Sequence, residues 1–265
     1  MNSRKAEFKF RREDGSHHER TDAIFPIVTG KSLEELRLVG TGFYISQNGI
    51  FVSARDCFED REGSIDSSET FQAIHLAEDD TYMFRPITWG WHSNHADVSV
   101  CVAAPMTNNK TGKPLLNSSL TLTAERPPIG TDVCTYAFGK SKISRQSGKT
   151  EISLRPAGYD GQLIRYYPTG RDKHSIPWAC YETGVEINAG ASGGPVFNLE
   201  RGTVFAVNTS SMEGDESVSF VTPIDFIFDA EFEHVQDENG HRLPRGIREL
   251  SELGLISFSP PLAKR

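Results

Sequence analysis

The residues able to do chemistry start with Ser192, in the run Gly190-Ala191-Ser192-Gly193-Gly194-Pro195. Acyl transfer needs a nucleophile on a sharp turn, with backbone N–H groups aimed at the place where an oxyanion develops. Glycines on both sides of the serine permit such a turn, and the N–H groups of Gly190 and Ser192 are the natural oxyanion donors. A glycine-rich turn joining two strands is the plain alternative. The strand-like residues 183–187 before the run and Val196-Phe197 after it favour the nucleophile. Asp97, in His95-Ala96-Asp97-Val98-Ser99-Val100, is the candidate orienting acid, with a solvated aspartate at a strand start as its alternative. Asp56 closes a third segment, Gly40-Thr41-Gly42-Phe43-Tyr44-Ile45-Ser46-Gln47-Asn48-Gly49-Ile50-Phe51-Val52-Ser53-Ala54-Arg55-Asp56-Cys57, which reads as glycine turn, strand, tight turn and a second strand ending at Asp56.

Such residues need a scaffold that brings positions far apart in the chain together. Short β-rich runs recur between turn signals at 23–29, 41–46, 50–53, 71–76, 82–89 and 98–103. A polar stretch, Met106 to Pro114, and the turn Pro127-Pro128-Ile129-Gly130 interrupt them. Runs then resume at 132–138, 149–154, 163–167, 178–183, 195–198, 204–209 and 219–222. Strands this short and numerous predict two β halves, each a sandwich or barrel. Helical signal is confined to the end: Pro223 to Phe228 opens like a helix, and Pro244 to Leu253 places Ile247, Leu250 and Leu253 on one face with Gly254 as a stop. Residues before about Thr21 are charged and aperiodic, which predicts a flexible arm.

Bulk properties bound the rest. The 265 residues can bury one large or two small cores, and 37% apolar content with 23 glycines and 14 prolines suits a turn-rich globular protein. A net charge of −8 argues against nucleic acid, which requires a dense basic face. No apolar run approaches the roughly 20 residues that span a bilayer, nor does the amino terminus read as a signal peptide, so no membrane association and a cytoplasmic location are expected. Cys57, Cys101, Cys134 and Cys180 form no C-x-x-C pair and are expected as reduced, buried thiols. His17, His18, His75, His174, His234 and His241 lack metal-ligand spacing; neither a metal nor another cofactor is called for.

The three segments together resemble the chymotrypsin/trypsin clan of serine endopeptidases, and are similar to its bacterial HtrA-like and cytosolic trypsin-like members. Their serine loop has the form T-x-x-x-I-N-x-G-x-S-G-G-P, matched by Thr183, Ile187, Asn188, Gly190, Ser192, Gly193, Gly194 and Pro195. Val207-Asn208-Thr209 and Val221-Thr222-Pro223-Ile224-Asp225 resemble the strands that follow. The order 56, 97, 192 repeats the clan's base, acid, nucleophile order. The resemblance implies an all-β fold: two six-stranded antiparallel β-barrels with a short C-terminal helical segment. The expected division is an arm at 1–22, a first barrel with base and acid at 23–115, a second barrel with nucleophile, oxyanion hole and specificity pocket at 116–232, and a helical tail at 233–265.

The clan's general base is a histidine, and Asp56 stands in its place. An aspartate is the weaker base, with an ordinary pKa near 3.9 against roughly 6.5 for histidine. Its shorter side chain is expected to fall short of Ser192 and to lie near a second carboxylate at Asp97. Loss of a triad member costs on the order of 10⁴ to 10⁶ in turnover. Three readings stand: a natural pseudoprotease that binds peptides or regulates, a substituted form of an active peptidase, and a base relocated to His92 or His95, the latter on Asp97's strand face by the period of two.

By the same resemblance Glu186, six residues before Ser192, lies at the base of the pocket for the residue preceding the scissile bond, where it would select arginine or lysine. A solvent-facing strand residue is its alternative. Asn208, Thr209 and Ser210 would wall that pocket, together with 220–222. Cys57 follows the base position, where secreted members often carry a cysteine, but the usual partner position is Gly40, which supports a reducing compartment. The implied partner is a protein or peptide substrate; the arm and the tail after Pro244 are candidates for docking a further protein.

Overall fold

The computed structural model describes residues 22–262 apart from 33, 60–69, 77–81, 108–111, 113, 147–148, 189, 213–214 and 233–245, and also residues 10–11 and 17–18. Six strands make the first barrel: β1 Ile24–Thr29, β2 Arg37–Tyr44, β3 Ile50–Ser53, β4 Phe71–Leu76, β5 Tyr82–His92 and β6 Ser99–Ala103. They close antiparallel in the order β1-β2-β3-β6-β5-β4. In the second half β7 Asp132–Ala137, β8 Lys142–Gln146, β9 Lys149–Ser153, β10 Ala157–Tyr167, β11 Cys180–Thr183, β12 Pro195–Asn198, β13 Thr203–Met212 and β14 Asp215–Pro223 follow. Six of these close antiparallel as β7-β10-β11-β14-β13-β12. The double barrel expected from the sequence is the fold.

Each barrel fills with the β-branched and aromatic residues that marked its strands. Ile27, Phe43, Phe51, Val52 and Val100 pack in the first; Val133, Tyr181, Val196, Phe205 and Val221 in the second. β1 is buried along its whole length; it touches β7 of the second barrel, and its Val28 lies in the cluster that Ile143 and Ile152 join.

A buried arginine ties the first barrel to the connection leaving it. Arg85, 3% exposed, donates to Tyr44 Oη and to Asn117 Oδ1, both at 2.6 Å, and twice to the Ala104 carbonyl. Asn117 in turn donates from both its nitrogens to the Gln47 carbonyl. Among the described residues the guanidinium has no carboxylate partner, and neutral acceptors surround it.

Several elements depart from expectation. Residues 149–154 leave the barrel and pair as β9 with β8, a hairpin whose Ile143 and Ile152 pack on Leu36, Leu38 and Ile74 of the first barrel. The polar stretch after Ala103 carries a two-residue ladder, Met106–Thr107 with Pro114–Leu115, and the charged arm carries another between Phe10–Arg11 and His17–His18. Pro223 opens a 3-10 helix, Ile224–Asp229, rather than an α-helix. The α-helix is shorter than expected, Ile247–Glu252; Ile247 and Leu250 are buried, but Leu253 lies past its end and is 60% exposed. Glu249 accepts from the Gly246 amide and closes the first turn. All four cysteines are free and buried.

Candidate active site

The serine loop runs between β11 and β12. The Asn188 carbonyl accepts from the Ala191 amide at 2.9 Å and Gly190 has φ +87°, the pairing that a type II turn demands. The amides of Ala191, Gly193 and Gly194 bond to Asn188, Asn208 and Ala191 carbonyls. Among the described residues, the amides of Gly190 and Ser192 have no such acceptor. At Gly193, φ is +85° and a β-carbon would sit 2.2 Å from both Ser53 Oγ and the Thr41 carbonyl, so only glycine fits.

Asp97 and Ser192, 95 positions apart in sequence, meet around Asp56 at the barrel interface. Asp97, 5% exposed, accepts the Asp56 backbone N–H at 2.9 Å. Asp56 does not end a strand: β3 stops at Ser53, and Asp56 opens a single 3-10 turn, Asp56–Phe58. Asp97 likewise sits in a bend, not in β6, so the period-of-two argument linking it to His95 does not apply. Ser192 Oγ donates to the Thr209 carbonyl at 3.1 Å. That carbonyl is available because the β13–β14 register shifts between Asn208 and Ser210 and leaves Thr209 outside the ladder.

Both carboxyls are held above their ordinary range, Asp97 in part by the charge of Asp56. Burial first, then the charge of Asp56, holds Asp97 well above the ordinary carboxylate range. Asp56 is pushed up to about 6, chiefly by desolvation and further by Glu59, against the neighbouring Cys57 and Ser192 groups, which lower it. Its surface is nevertheless open to water. The Ser192 hydroxyl has one proton, and among the described residues it is given to the Thr209 carbonyl, with the Asp56 carboxyl beside it. The Cys57 thiol lies 3.5 Å from both Asp56 Oδ1 and the Ser192 carbonyl, with burial pushing its pKa well up. Gly40 faces that sulfur: a β-carbon there would stand 2.2 Å from Sγ.

Neither relocated base reaches the centre. His92 Nδ1 pairs with Ser99 Oγ at 2.7 Å and its ring packs on Phe58; burial and Arg55 lower its pKa to about 4. His95 is exposed and bonds through its backbone to Ser93 Oγ. Glu186 is half-buried and accepts from Asn188 Nδ2 at 3.1 Å. Asn208 is fully buried, not an open pocket wall: its Nδ2 donates to Thr135 Oγ1 and to the Ala191 carbonyl beneath the serine. Thr209 is buried with its hydroxyl on Thr222, which also takes the Trp178 indole N–H. The Ser210 backbone pairs with Phe220. No cluster of three or more potential metal ligands occurs among the described residues.

The model of the family described as "Trypsin-like peptidase domain" matches residues 40–207, more than half of the chain and all three segments above. The chain belongs to the trypsin-like peptidase family. Two solved structures of low identity, Deg5 and AlgW, agree in fold. Deg5 aligns at 18% identity and TM-score 0.51 over 77% of this chain and 85% of that one. The HtrA-type protease AlgW, solved with a decapeptide, aligns at 13% and 0.50 over 77% and 62%. The active form of the Rv3671c protease from M. tuberculosis aligns at 17% and 0.49 over 78% of each. No curated protein matches the sequence. No helix among the described residues is long and apolar enough to cross a membrane. In this trypsin-like chain, Thr41 and the main chain of Thr209 contribute to the setting of the serine, and neither role carries a local sequence signal.

Proposed function

We propose that this trypsin-like chain binds a polypeptide in the cleft between its barrels and that Ser192 is acylated by it poorly or not at all. The observation that carries this is the identity and setting of Asp56. The residue beside both Asp97 and Ser192 is a carboxyl, and the serine proton rests on the Thr209 carbonyl. A histidine base takes the serine proton on one nitrogen while the other is held by the acid. Asp56 meets Asp97 through its backbone amide, which leaves its carboxyl without that orienting contact. The parts that a peptidase needs besides the base are Ser192 as nucleophile, Asp97 as orienting acid and the amides of Gly190 and Ser192 as oxyanion donors. Their arrangement supports a recent peptidase ancestry. Selection of arginine or lysine by Glu186 is the finer expectation; peptide libraries presented to the cleft test it. Four buried free thiols support a reducing, cytoplasmic setting.

The test is a fluorophosphonate probe applied to the chain and to Asp56→His. The expected result is no labelling of the parent and labelling of Ser192 in the variant, with peptide hydrolysis raised by about 10³-fold or more. Labelling of the parent at the variant's rate sinks the non-cleaving reading. A folded variant that neither labels nor cleaves sinks the peptidase ancestry.

A further inference from the structure

We infer that Thr41 is a positioning residue that sets the oxyanion turn from across the barrel interface. The inference rests on Ser192 being the nucleophile, as proposed above. Thr41 belongs to β2 of the first barrel and is fully buried, yet its bonds run to the serine loop of the second. Its amide donates to the Ser192 carbonyl at 2.8 Å. Its hydroxyl accepts the Phe138 amide at 3.1 Å, which leaves the hydroxyl proton for the Gly190 carbonyl at 3.0 Å.

The consequence follows from peptide planarity. In a trans peptide the N–H points opposite to the C=O of the same unit, so fixing a carbonyl aims the next amide. The Gly190 and Ser192 carbonyls are both held by Thr41. The Ala191 carbonyl between them is held by Asn208 Nδ2 at 3.2 Å and the Gly194 amide at 3.0 Å. Three successive peptide units are thereby fixed, and the Ser192 N–H is turned to the side opposite Asn208. The Gly190 N–H lies at the other end of the same turn, held by the Asn188–Ala191 bond and the positive φ of Gly190. Thr41 thus keeps the turn in one shape before any substrate arrives, and does so only while the two barrels stay in register.

Thr41→Val keeps the shape and removes the hydroxyl; Thr41→Ser restores it. In the otherwise unchanged chain, amide hydrogen exchange across 190–193 should quicken about tenfold in the valine variant, the scale of one lost hydrogen bond, and return in the serine variant. Strand amides in both barrels should stay protected. In an Asp56→His background, Thr41→Val should lower the maximal rate of fluorophosphonate labelling at least about tenfold, since a displaced oxyanion donor costs up to 10²–10³. The probe's apparent affinity should hold within about twofold on the same reasoning. Unchanged exchange across 190–193, a loss of protection spread evenly over both barrels, or no recovery with serine overturns the assignment. If Asp56→His itself takes no label, the peptidase reading fails while the exchange arm still decides Thr41.

Discussion

Replacing Asp56 by asparagine removes one of two carboxyls that the fold crowds together, and the effect on stability should depend on pH in a definite direction. Folding raises the Asp56 pKa from 3.8 to about 6. Between those values the unfolded chain has released a proton that the folded chain retains. The stability tied to this proton is therefore present in full below about pH 4 and lost as pH climbs through about 6. For a fully desolvated group, a displacement of that size would amount to about 3 kcal/mol. Water reaches Asp56, so the contribution is discounted to about 1 kcal/mol or less. Relief of Asp97 works in the same sense, because the Asp56 charge is one of the causes that hold its pKa up. Asparagine keeps the backbone bond to Asp97 and has no proton to lose. Urea denaturation of parent and Asp56→Asn from pH 4 to 7.5 should show the variant gaining about 0.5–1 kcal/mol on the parent at the upper end relative to the lower. An equal difference at both ends, or a variant that loses ground as pH rises, refutes the crowded-carboxyl account.

Other substitutions separate supports from bystanders. Arg85→Met leaves Tyr44, Asn117 and the Ala104 carbonyl without their shared donor, and urea denaturation should register a loss of about 2–3 kcal/mol. Gly193→Ala sets a β-carbon against the Thr41 carbonyl at a positive φ; a cost of about 2–4 kcal/mol or failure to fold is expected, read by circular dichroism and denaturation. Arg201→Ala breaks a pair with Glu125 in which both side chains are about half exposed, and its melting should show a change within about 0.5 kcal/mol.

What the chain announces in advance is what its local residues determine. Gly190 and Gly193 mark the serine loop because two left-handed positions in four residues demand glycine. Asp97 stands out by its place before a strand of alternating apolar residues. Thr41 gives no such sign: its hydroxyl meets the Gly190 carbonyl 149 positions away, and only closure of both barrels makes the contact. The run 149–154 reads as a strand of the second half because Ile152 and Leu154 carry the strand signal, and that signal does not say which sheet a strand joins. Leu253 kept the helical period beyond Glu252, but Gly254 at φ +72° ends the run, and the side chain faces water.

The survival of this geometry around an aspartate follows from which atoms hold it. Asp97 is fixed by the main-chain N–H of residue 56, and the serine loop by Thr41, Asn208 and its own turn. None of these contacts uses the side chain of Asp56. A change of side chain there therefore alters the proton chemistry of the cleft while leaving the positions of the acid and nucleophile nearly untouched. Asp56→His is for that reason a sharper test than removal of Ser192: the scaffold needs no repair, so any activity regained reports the base alone.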